Sequence, residues 1–307
     1  MKAACPNCGG NDFHQIMPYQ NQSRLLDGCD ISQCETCEIH FITPAPDQES
    51  WLAYNRSYFE SAHSGLNLAP MSVIYHQAMA KIRVKHILES IGTSNPPASV
   101  LEIGPGVGYF ARYWKTCFPE CDYYALESDT SLHSCLRENG IQVLEDGIEQ
   151  LENRPIDMCV MSHVLEHVIN PSDMLRYVTE PLRKNGLLFV EVPCLDFLYK
   201  DVHEPHMIFF SESSLADCAK RAGYDGLKLS FHGDRISSIR RYDLPRRILV
   251  KLSRLTNIQL THGFGPSDST IKYYNLTDEE ALAVAQTRPF VRQNEPSRWL
   301  RMIARKQ

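Results

Sequence analysis

The sequence predicts an α/β protein with a small metal-binding module in front of the main domain. Short apolar runs, such as 99–103 and 156–162, are followed by amphipathic helical patterns, which is typical of a sheet with helices packed on it. Two pairs of closely spaced cysteines predict the module. The chain has 307 residues, 43% of them hydrophobic and 22% charged, which suffices for one full-size domain plus a small one.

The N-terminal module is predicted to be a zinc ribbon that spans residues 1–45. Two residues separate the cysteines of each pair, so both thiolates of a tight turn point at one ion, and two such turns complete a tetrahedral site. An alternating stretch at 13–17 suits a short strand, and a structural zinc would supply folding energy that so short a module cannot obtain by burial. Cys29 lacks a partner at the right spacing and is expected to be a neighbour. The predicted zinc ligands are Cys5, Cys8, Cys34 and Cys37.

A proline-rich connector ends the module and leads into two helices. Asp47 is predicted to cap a short helix. Apolar residues between 71 and 91 recur at helical spacing, which predicts one long amphipathic helix that stops at Gly92. We therefore assign residues 46–97 to a linker and N-terminal helices.

The stretch SVLEIGPGVGYFARYWK, residues 99–115, has the order strand, glycine-rich turn and helix. Gly104, Gly106 and Gly108 permit positive φ angles and allow a ligand to approach the backbone closely. A second strand, DYYALE, ends at Glu127, where an acidic side chain accepts hydrogen bonds from ribose hydroxyls. Together the turn and the acid predict a nucleotide-type binding site.

The turn also indicates which cofactor binds. Its pattern is GxGxG, whereas dinucleotide enzymes use GxGxxG and place a pyrophosphate at the helix N-terminus. Glu102 precedes the turn, and a carboxylate there disfavours a pyrophosphate but suits a ligand with an ammonium group. S-adenosylmethionine (SAM) fits this description.

From Cys5 to about Leu229 the chain resembles the class I SAM-dependent methyltransferases, specifically the branch with an N-terminal zinc ribbon. The motifs that carry the resemblance occur in the family's order: LEIGPGVG, YYALE, LEDGIEQL, DMCVMSHVLEHVINP, LRKNGLLFVEVP and HEPHMIFFSESSL. The resemblance implies a Rossmann-like, seven-stranded methyltransferase sheet with helices on both faces. Its SAM-binding core would span 98–231, and 297–307 would supply the final, antiparallel edge strand.

The resemblance also assigns the cofactor contacts. The residues expected around SAM are Glu102, Gly104, Gly106 and Gly108 at the methionine part, Glu127 at the ribose, Asp146, Gly147 and Ile148 at the adenine, and Ser162 and His163 at the pocket floor, with Ser128 as a further cofactor contact.

A helix is predicted to open with HVLEHVINP after the fourth strand. His163 and His167 would then share one helical face, with Glu166 close by. The metalloprotease pattern HExxH places its glutamate elsewhere, so we predict no metal at these residues. His167 is instead expected to be a buried, hydrogen-bonded histidine at the edge of the cofactor.

The segment DVHEPHMIFFS holds the candidates for the catalytic base. Methyl transfer to a hydroxyl or carbon requires removal of a proton, for which histidine is suited. Sugar C-methyltransferases, which share the ribbon, carry an HEH stretch here, whereas this chain has a proline inserted before the second histidine. We predict His206 as the base, with His203 second. The alternative is that both residues only shape the pocket.

Residues 232–296 are predicted to form a helical insertion. They contain a basic amphipathic helix at 244–258 and a second helix near 277–286, capped by Thr277 or Asp278. Because insertions near strand ends lie where ligands bind in open α/β sheets, we expect a lid that recognises the acceptor. A dimerisation arm and a membrane-surface helix are the alternatives.

The basic residues are concentrated towards the C-terminus. Residues 235–307 hold 14 basic and 6 acidic residues, a formal charge of +8, whereas the first 234 residues sum to −14. A phosphate-bearing small molecule is therefore one expected partner, and a solvated basic surface is the alternative reading. The candidates for bidentate phosphate contacts are Arg240, Arg241, Arg246 and Arg247.

The predicted function is SAM-dependent methyl transfer to a small molecule, namely a sugar, a nucleotide-linked sugar or a related metabolite. The alternatives are an RNA methyltransferase, which the acidic first 234 residues disfavour, and a non-catalytic zinc-ribbon binding protein, which has no need of Glu127. No apolar run reaches the length of a membrane span, and no secretory signal is recognised. Eleven cysteines without such a signal favour the cytoplasm over a disulfide-bonded exterior protein. The methylated atom and the oligomeric state stay open.

Overall fold

The computed structural model describes residues 4–56, 70–92, 96–152, 154–239, 276–287 and 292–307. The N-terminal module is a small antiparallel sheet. Its strands are β1 (Phe13–Pro18), β2 (Asp30–Cys34) and β3 (His40–Thr43). A fourth strand, from far along the chain, pairs with β3 and extends this sheet.

A large mixed sheet forms the centre of the main domain. Its strands are β4 (Ser99–Ile103), β5 (Asp122–Leu126), β6 (Gln142–Val143), β7 (Ile156–Ser162), β8 (Leu182–Pro193), β10 (Tyr224–Arg235), β11 (Arg292–Gln293) and β12 (Ser297–Lys306), and β9 (Ile208–Phe209) is the strand added to the ribbon. Within the described ranges the order is β11-β10-β12-β8-β7-β4-β5-β6. β4 to β8 run parallel, and the other three strands run antiparallel to their neighbours.

The last strand differs from the expectation in its position. β12 was expected at the edge of the sheet, but it lies between β8 and β10. Leu300, Met302 and Ala304 are completely buried, as in an interior strand. The edge belongs to β11, a two-residue strand from the region predicted to be an insertion, and it brings the predicted seven strands to eight.

Seven α-helices have both ends within the described residues. They are α1 (Gln48–Arg56), α2 (Pro70–Ile91), α3 (Tyr109–Cys117), α4 (His133–Glu138), α5 (Pro171–Thr179), α6 (Glu212–Arg221) and α7 (Asp278–Thr287). Asp47 Oδ1 accepts a hydrogen bond from Ser50 N at 2.9 Å at the start of α1, as predicted for a cap. Of the two candidate caps for α7, Thr277 fills the role, because its Oγ1 accepts from Glu280 N at 3.2 Å.

The two faces of the large sheet are covered by different elements. Along β4, Val100 packs with α2, α3 and α4, whereas the adjacent Leu101 packs on the opposite face with α5 and α6. Ile31 and Phe41 of the ribbon belong to the same apolar cluster as Leu101. The helices on both faces confirm the predicted fold class, and the ribbon shares a core with the main domain.

The predicted insertion is described only in part. β10 continues to Arg235, so the strand extends into the predicted range. α7 packs on α2, where Lys81 Nζ lies 3.2 Å from Asp278 Oδ1. The basic helix expected at 244–258 and the four arginines proposed for phosphate lie outside the described residues. In the part of the chain that is described, no helix has the length and apolarity needed to cross a membrane.

Candidate active site

The three glycines after β4 have different surroundings. All have positive φ angles, of 63° at Gly104, 57° at Gly106 and 77° at Gly108. A Cβ at Gly104 would lie 2.7 Å from Val164 Cγ2, and one at Gly108 would lie 2.7 Å from Leu136 Cδ2. Next to Gly106 there is open space. The outer glycines therefore serve close packing, and the middle one leaves room for a ligand against the backbone.

Glu127, at the end of β5, is connected to the turn through its carboxylate. Its Oε2 accepts a hydrogen bond from Gly106 N, and its Oε1 accepts one from Asp129 N, both at 2.9 Å. Ser128 Oγ lies 3.5 Å from the same Oε1. Burial raises the pKa of Glu127, and the two backbone donors oppose that shift. The acid predicted for the ribose thus lies directly beside the open glycine.

Glu102, at the end of β4, is an almost fully buried acid, with 3% of its surface exposed. Tyr123 OH donates a hydrogen bond to its Oε2 at 2.7 Å. Burial raises the pKa of Glu102 to about 7, although Tyr123 and Arg83 oppose the shift. A cation nearby would therefore favour loss of the Glu102 proton near neutral pH.

A cavity of about 250 Å³ lies at the carboxyl ends of β4 and β7. After β4 the chain adds β5 and β6 towards one edge of the sheet, and β7 is then added on the opposite side of β4. Ligands bind at such a point, where the strand order reverses. Ser162 Oγ lines the cavity and has no hydrogen-bond partner among the described residues. The volume is below the roughly 300–1,000 Å³ of whole-ligand pockets, so it suits one end of a ligand. The lining includes Glu102, Gly104, Gly106, Ser162 and His163 from the predicted site, and Tyr75, His76, Arg83 and Trp299 from elsewhere.

His163 lies between two buried carboxylates. Its Nδ1 is 3.2 Å from Glu166 Oε1, and its Nε2 is 3.2 Å from Glu191 Oε1. Arg83 and Arg301 also hold Glu191, with their closest contacts at 2.5 Å. Burial alone would lower the pKa of His163, but the two carboxylates outweigh it and raise the pKa. Both ring nitrogens therefore face acceptors, an arrangement that suits the protonated ring.

The segment after β7 is not the predicted helix. His163 has a φ of 57°, in the left-handed region, and only a 3₁₀ turn, Leu165–His167, follows before α5 begins at Pro171. Proline at the first position of α5 sets the start of the regular helix. His163 and His167 consequently do not share a helical face. Burial lowers the pKa of His167 to about 4, and its carbonyl accepts a hydrogen bond from Trp51 Nε1 at 2.6 Å.

The residues predicted around adenine lie beyond β6, outside the cavity lining. Asp146 N donates to Gln150 Oε1, and Ile148 N donates to Tyr177 OH, both at 3.0 Å. Gly147 has a φ of 98°, and a Cβ there would lie 2.8 Å from Tyr177 OH. The segment thus follows β6, the strand that pairs with β5.

The two predicted base candidates lie in a loop before β9, and neither lines the cavity. His203 is 1% exposed, and its Nδ1 accepts a hydrogen bond from Gln20 N of the ribbon at 3.0 Å. Its own backbone N donates to Gln20 O at 2.8 Å. His203 therefore connects the loop to the ribbon.

His206 has different partners. Its Nδ1 lies 2.7 Å from Asp196 Oδ2, which also pairs with Lys200 Nζ at 2.8 Å. Tyr19 OH, from the ribbon, donates to His206 O at 3.0 Å. The histidine and lysine partners hold the pKa of Asp196 below its ordinary value, against the effect of burial. Asp196 and Tyr19 were not predicted, because no local sequence pattern relates them to His206.

The four predicted zinc ligands lie together. The Sγ atoms of Cys5 and Cys37 are 3.6 Å apart, as are those of Cys8 and Cys34. All four sulfurs lie within 4.8 Å of one another. Tetrahedral zinc with Zn–S bonds of about 2.3 Å needs sulfurs roughly 3.8 Å apart, so the group fits this ion. Cys29 lies outside the group, and its Sγ donates to Pro44 O at 3.2 Å.

Comparison with known proteins identifies the family to which this chain is similar. The family profile described as "Methyltransferase domain" matches residues 75–229, about half of the chain. A search of curated proteins finds no match.

Solved structures show a similar fold at low sequence identity. A phosphoethanolamine N-methyltransferase 2 from Haemonchus contortus, in complex with phosphomonomethylethanolamine and S-adenosylhomocysteine, has 12% identity and a TM-score of 0.50; the match covers 87% of this chain and 62% of that one. A SAM-dependent methyltransferase from Thermotoga maritima, described as a possible histamine N-methyltransferase, has 15% identity and a TM-score of 0.47 over 84% and 99% of the two chains. One from Archaeoglobus fulgidus has 17% identity and a TM-score of 0.46 over 81% and 98%.

Proposed function

The chain belongs to this methyltransferase family and is a SAM-dependent methyltransferase, and we propose that its acceptor is a small molecule: a sugar, a nucleotide-linked sugar or a related metabolite. The cavity at the ends of β4 and β7 has space for one end of a ligand, which we assign to the cofactor, so the observation that carries the acceptor class is the charge of the chain. The net charge of −14 over the first 234 residues supports a small acceptor over RNA.

We assign the cofactor to the glycine turn. Glu102 and the open backbone at Gly106 would hold the methionine part, Glu127 with Ser128 the ribose, and Ser162 Oγ would gain a hydrogen-bond partner. The segment that contains Gly147 would flank the adenine. When bound, SAM supplies an electrophilic methyl group on a sulfonium.

His206 is our candidate for the base that removes the acceptor proton. Asp196 Oδ2 lies 2.7 Å from Nδ1 of His206, and Nε2, which has Lys200 Nζ 3.5 Å away, would accept the proton. His203 is the weaker candidate, because its Nδ1 already accepts the Gln20 backbone proton and its Nε2 then carries the proton of the neutral ring. His163 is unsuited to the role, since carboxylates face both of its nitrogens.

The ribbon is proposed to hold one structural zinc through its four cysteines. Four thiolates leave no open coordination position, so this ion would stabilise the module without taking part in the reaction. None of the eleven cysteines forms a disulfide, and on this basis we propose a reducing compartment, the cytoplasm, as the location.

The test of the cofactor site is calorimetric binding of S-adenosylhomocysteine to the zinc-loaded protein. We expect micromolar affinity, on the order of −8 kcal/mol, and its loss in Glu127→Ala. The matched control is Glu120→Ala, which removes an exposed glutamate outside the site and should bind normally. Equal affinity of both variants would overturn the assignment of Glu127.

The test of the acceptor class uses SAM with a labelled methyl group. We expect label in a sugar phosphate or nucleotide-linked sugar, and none in RNA. Transfer to RNA, with binding that weakens steeply as salt rises, would overturn the small-molecule proposal.

A further inference from the structure

Three side chains that suit a metal ion meet one layer behind the cavity wall. Glu166 and His167 come from the 3₁₀ turn after β7, and His206 comes from the loop before β9. One ligand atom from each lies within 4.8 Å of the others. Glu166 contacts His163, which lines the cavity, so the cluster adjoins the space assigned to the ligand.

The cluster is wider than a coordination sphere, but its three groups face one another. The rings of His167 and His206 have centroids 4.9 Å apart and are nearly perpendicular, at 87°. His167 Nε2 lies 3.9 Å from Glu166 Oε1. Ligand atoms about 2.1 Å from one ion lie roughly 3 Å apart, so these atoms, which lie within 4.8 Å of one another, would have to move closer by up to about 2 Å.

One carboxylate oxygen in the cluster lacks a partner. Glu166 is 1% exposed, and its Oε2 has no hydrogen-bond partner among the described residues. A buried carboxylate oxygen without a partner costs free energy, which a bound cation would recover. The contacts of Glu166 with His163 and His167 are made by the other oxygen, Oε1, so a cation held by both carboxylate oxygens would give Oε2 a partner.

The surrounding residues hold the ligands in place. Asp196 Oδ2 lies 2.7 Å from Nδ1 of His206, which leaves Nε2 of that ring for the ion. A carboxylate on the distal nitrogen is the usual partner of a metal-binding histidine. Trp51 Nε1 donates to the carbonyl of His167 and fixes its backbone.

Two positive groups compete with an ion at this position. Lys200 Nζ lies 3.5 Å from both ring nitrogens of His206 and also pairs with Asp196. His163 lies against Glu166. The Lys200 side chain is 37% exposed and free to turn towards solvent, so an ion can replace its charge.

Contrary to the expectation from the sequence, which placed no metal at Glu166 and His167, we propose that these two residues and His206 bind one divalent transition-metal ion, of the class Mn²⁺, Fe²⁺, Co²⁺ or Zn²⁺. Two imidazoles and one carboxylate leave coordination positions open for water or for an oxygen of a substrate. The role towards the acceptor rests on the proposed function: with the ion bound at Nε2, His206 would hold an acceptor oxygen through the metal instead of removing its proton directly. Binding of the ion does not depend on that function.

The first test is a titration of the native, zinc-loaded protein with Co²⁺. We expect a second equivalent of metal, with the weak visible absorption of nitrogen and oxygen ligands and without the strong thiolate charge-transfer band of a cysteine site. Total metal is counted by mass spectrometry. A single equivalent, or a second one with thiolate bands only, would overturn the proposal.

Variants locate the second ion. Glu166→Gln and His206→Ala should each lose the second equivalent and retain the zinc, whereas Asp196→Asn should bind it about 10- to 100-fold more weakly. The matched control is His203→Gln, a change in the same loop that should keep both equivalents. Retention of the second equivalent in both ligand variants would overturn the proposal. Where a variant fails to fold, the native titration decides.

Binding of S-adenosylhomocysteine separates the two proposals. A protein that binds this ligand and takes up one equivalent of metal overturns the ion site alone. A protein that takes up two equivalents without binding the ligand keeps the ion site and overturns the cofactor assignment.

Discussion

The two faces of the large sheet assemble their functional residues in different ways. On the side of α2, Glu102, the glycine turn and Glu127 each stand at the end of a strand, so the topology of the sheet brings them together. On the side of the ribbon, Glu166 and His206 meet through a loop that is bonded both to Glu166 O, by Met207 N at 2.7 Å, and to the ribbon. Strand ends form a site that sequence predicts, whereas packing between modules forms one that it does not.

The ribbon holds the histidine loop through several hydrogen bonds. Gln22 N and Ser23 N donate to Glu204 Oε2 at 2.7 and 2.9 Å, and Ile42 N donates to Met207 O at 3.0 Å. These bonds add to those that Tyr19 makes with His206 O and Gln20 makes with His203. If the two sides are independent, changes to the ribbon should affect the histidine cluster and leave the cofactor side intact.

The largest effect is expected from Cys5→Ser. Metal binding supplies about 10–16 kcal/mol in zinc modules, so loss of one thiolate should release zinc and unfold the ribbon. Hydrogen exchange should then lose protection at 13–43 and in the histidine loop, while β4 and β5 stay protected and S-adenosylhomocysteine still binds.

Cys29→Ser is the matched control, because Cys29 lies outside the zinc group. It should keep zinc and ribbon protection. A ribbon that stays protected after zinc loss in Cys5→Ser would contradict the dependence on metal, and loss of ligand binding would contradict the independence of the two sides.

The glycine turn offers a matched pair on the α2 side. Gly104→Ala combines a positive φ with a 2.7 Å approach to Val164, and should cost about 4 kcal/mol of unfolding free energy. Gly106→Ala meets open space, so it should cost about 1 kcal/mol yet remove S-adenosylhomocysteine binding. Urea unfolding and calorimetry measure the two effects. Equal stability of the two variants would show that packing does not distinguish these glycines.

The accuracy of the sequence predictions follows the same division. The helices on both faces and the strand–turn–helix at Gly106 followed from periodicity and local motifs, and the structure has them. The edge position of β12 was wrong, because strand order depends on long-range pairing with β10. The helix expected at His163 was wrong, because a left-handed residue and Pro171 set a later start.

The buried charges show the remaining limit. Arg83, Glu191 and Arg301 come from α2, β8 and β12, and no spacing in the sequence relates them. Their meeting depends on the order of strands and on which face α2 covers. Asp196 reaches His206 for a similar reason, across a loop whose path the ribbon sets.

A pH-dependent effect is expected on the α2 side from Glu102→Gln. The pKa of Glu102 is about 7 in the folded chain and near 4.5 when unfolded, so the folded state binds more protons between these values. The native protein should therefore lose about 2–3 kcal/mol of unfolding free energy between pH 5 and 8, relative to the variant. Urea unfolding of both proteins at the two pH values measures the difference.

Zinc content of Glu102→Gln should equal that of the native protein, since the change lies on the face opposite the ribbon. If the unfolding free energy changes with pH equally in both proteins, the pKa of Glu102 in the folded chain is the same as in the unfolded chain. A variant that also loses zinc would contradict the separation of the two sides.

The smallest effect is expected from a pair of tyrosines, one on each side. Tyr19→Phe removes the buried hydrogen bond to His206 O, worth about 1 kcal/mol, and should weaken the second Co²⁺ equivalent about fivefold. Tyr123→Phe removes the donor to Glu102 and should raise the pKa of that acid further without changing Co²⁺ affinity. Binding of S-adenosylhomocysteine should respond to the second variant and not to the first. Because both changes delete one hydroxyl from a buried ring, a shared loss of both affinities would mean that the sheet couples its two faces, and that the histidine cluster and the cofactor turn are parts of one site.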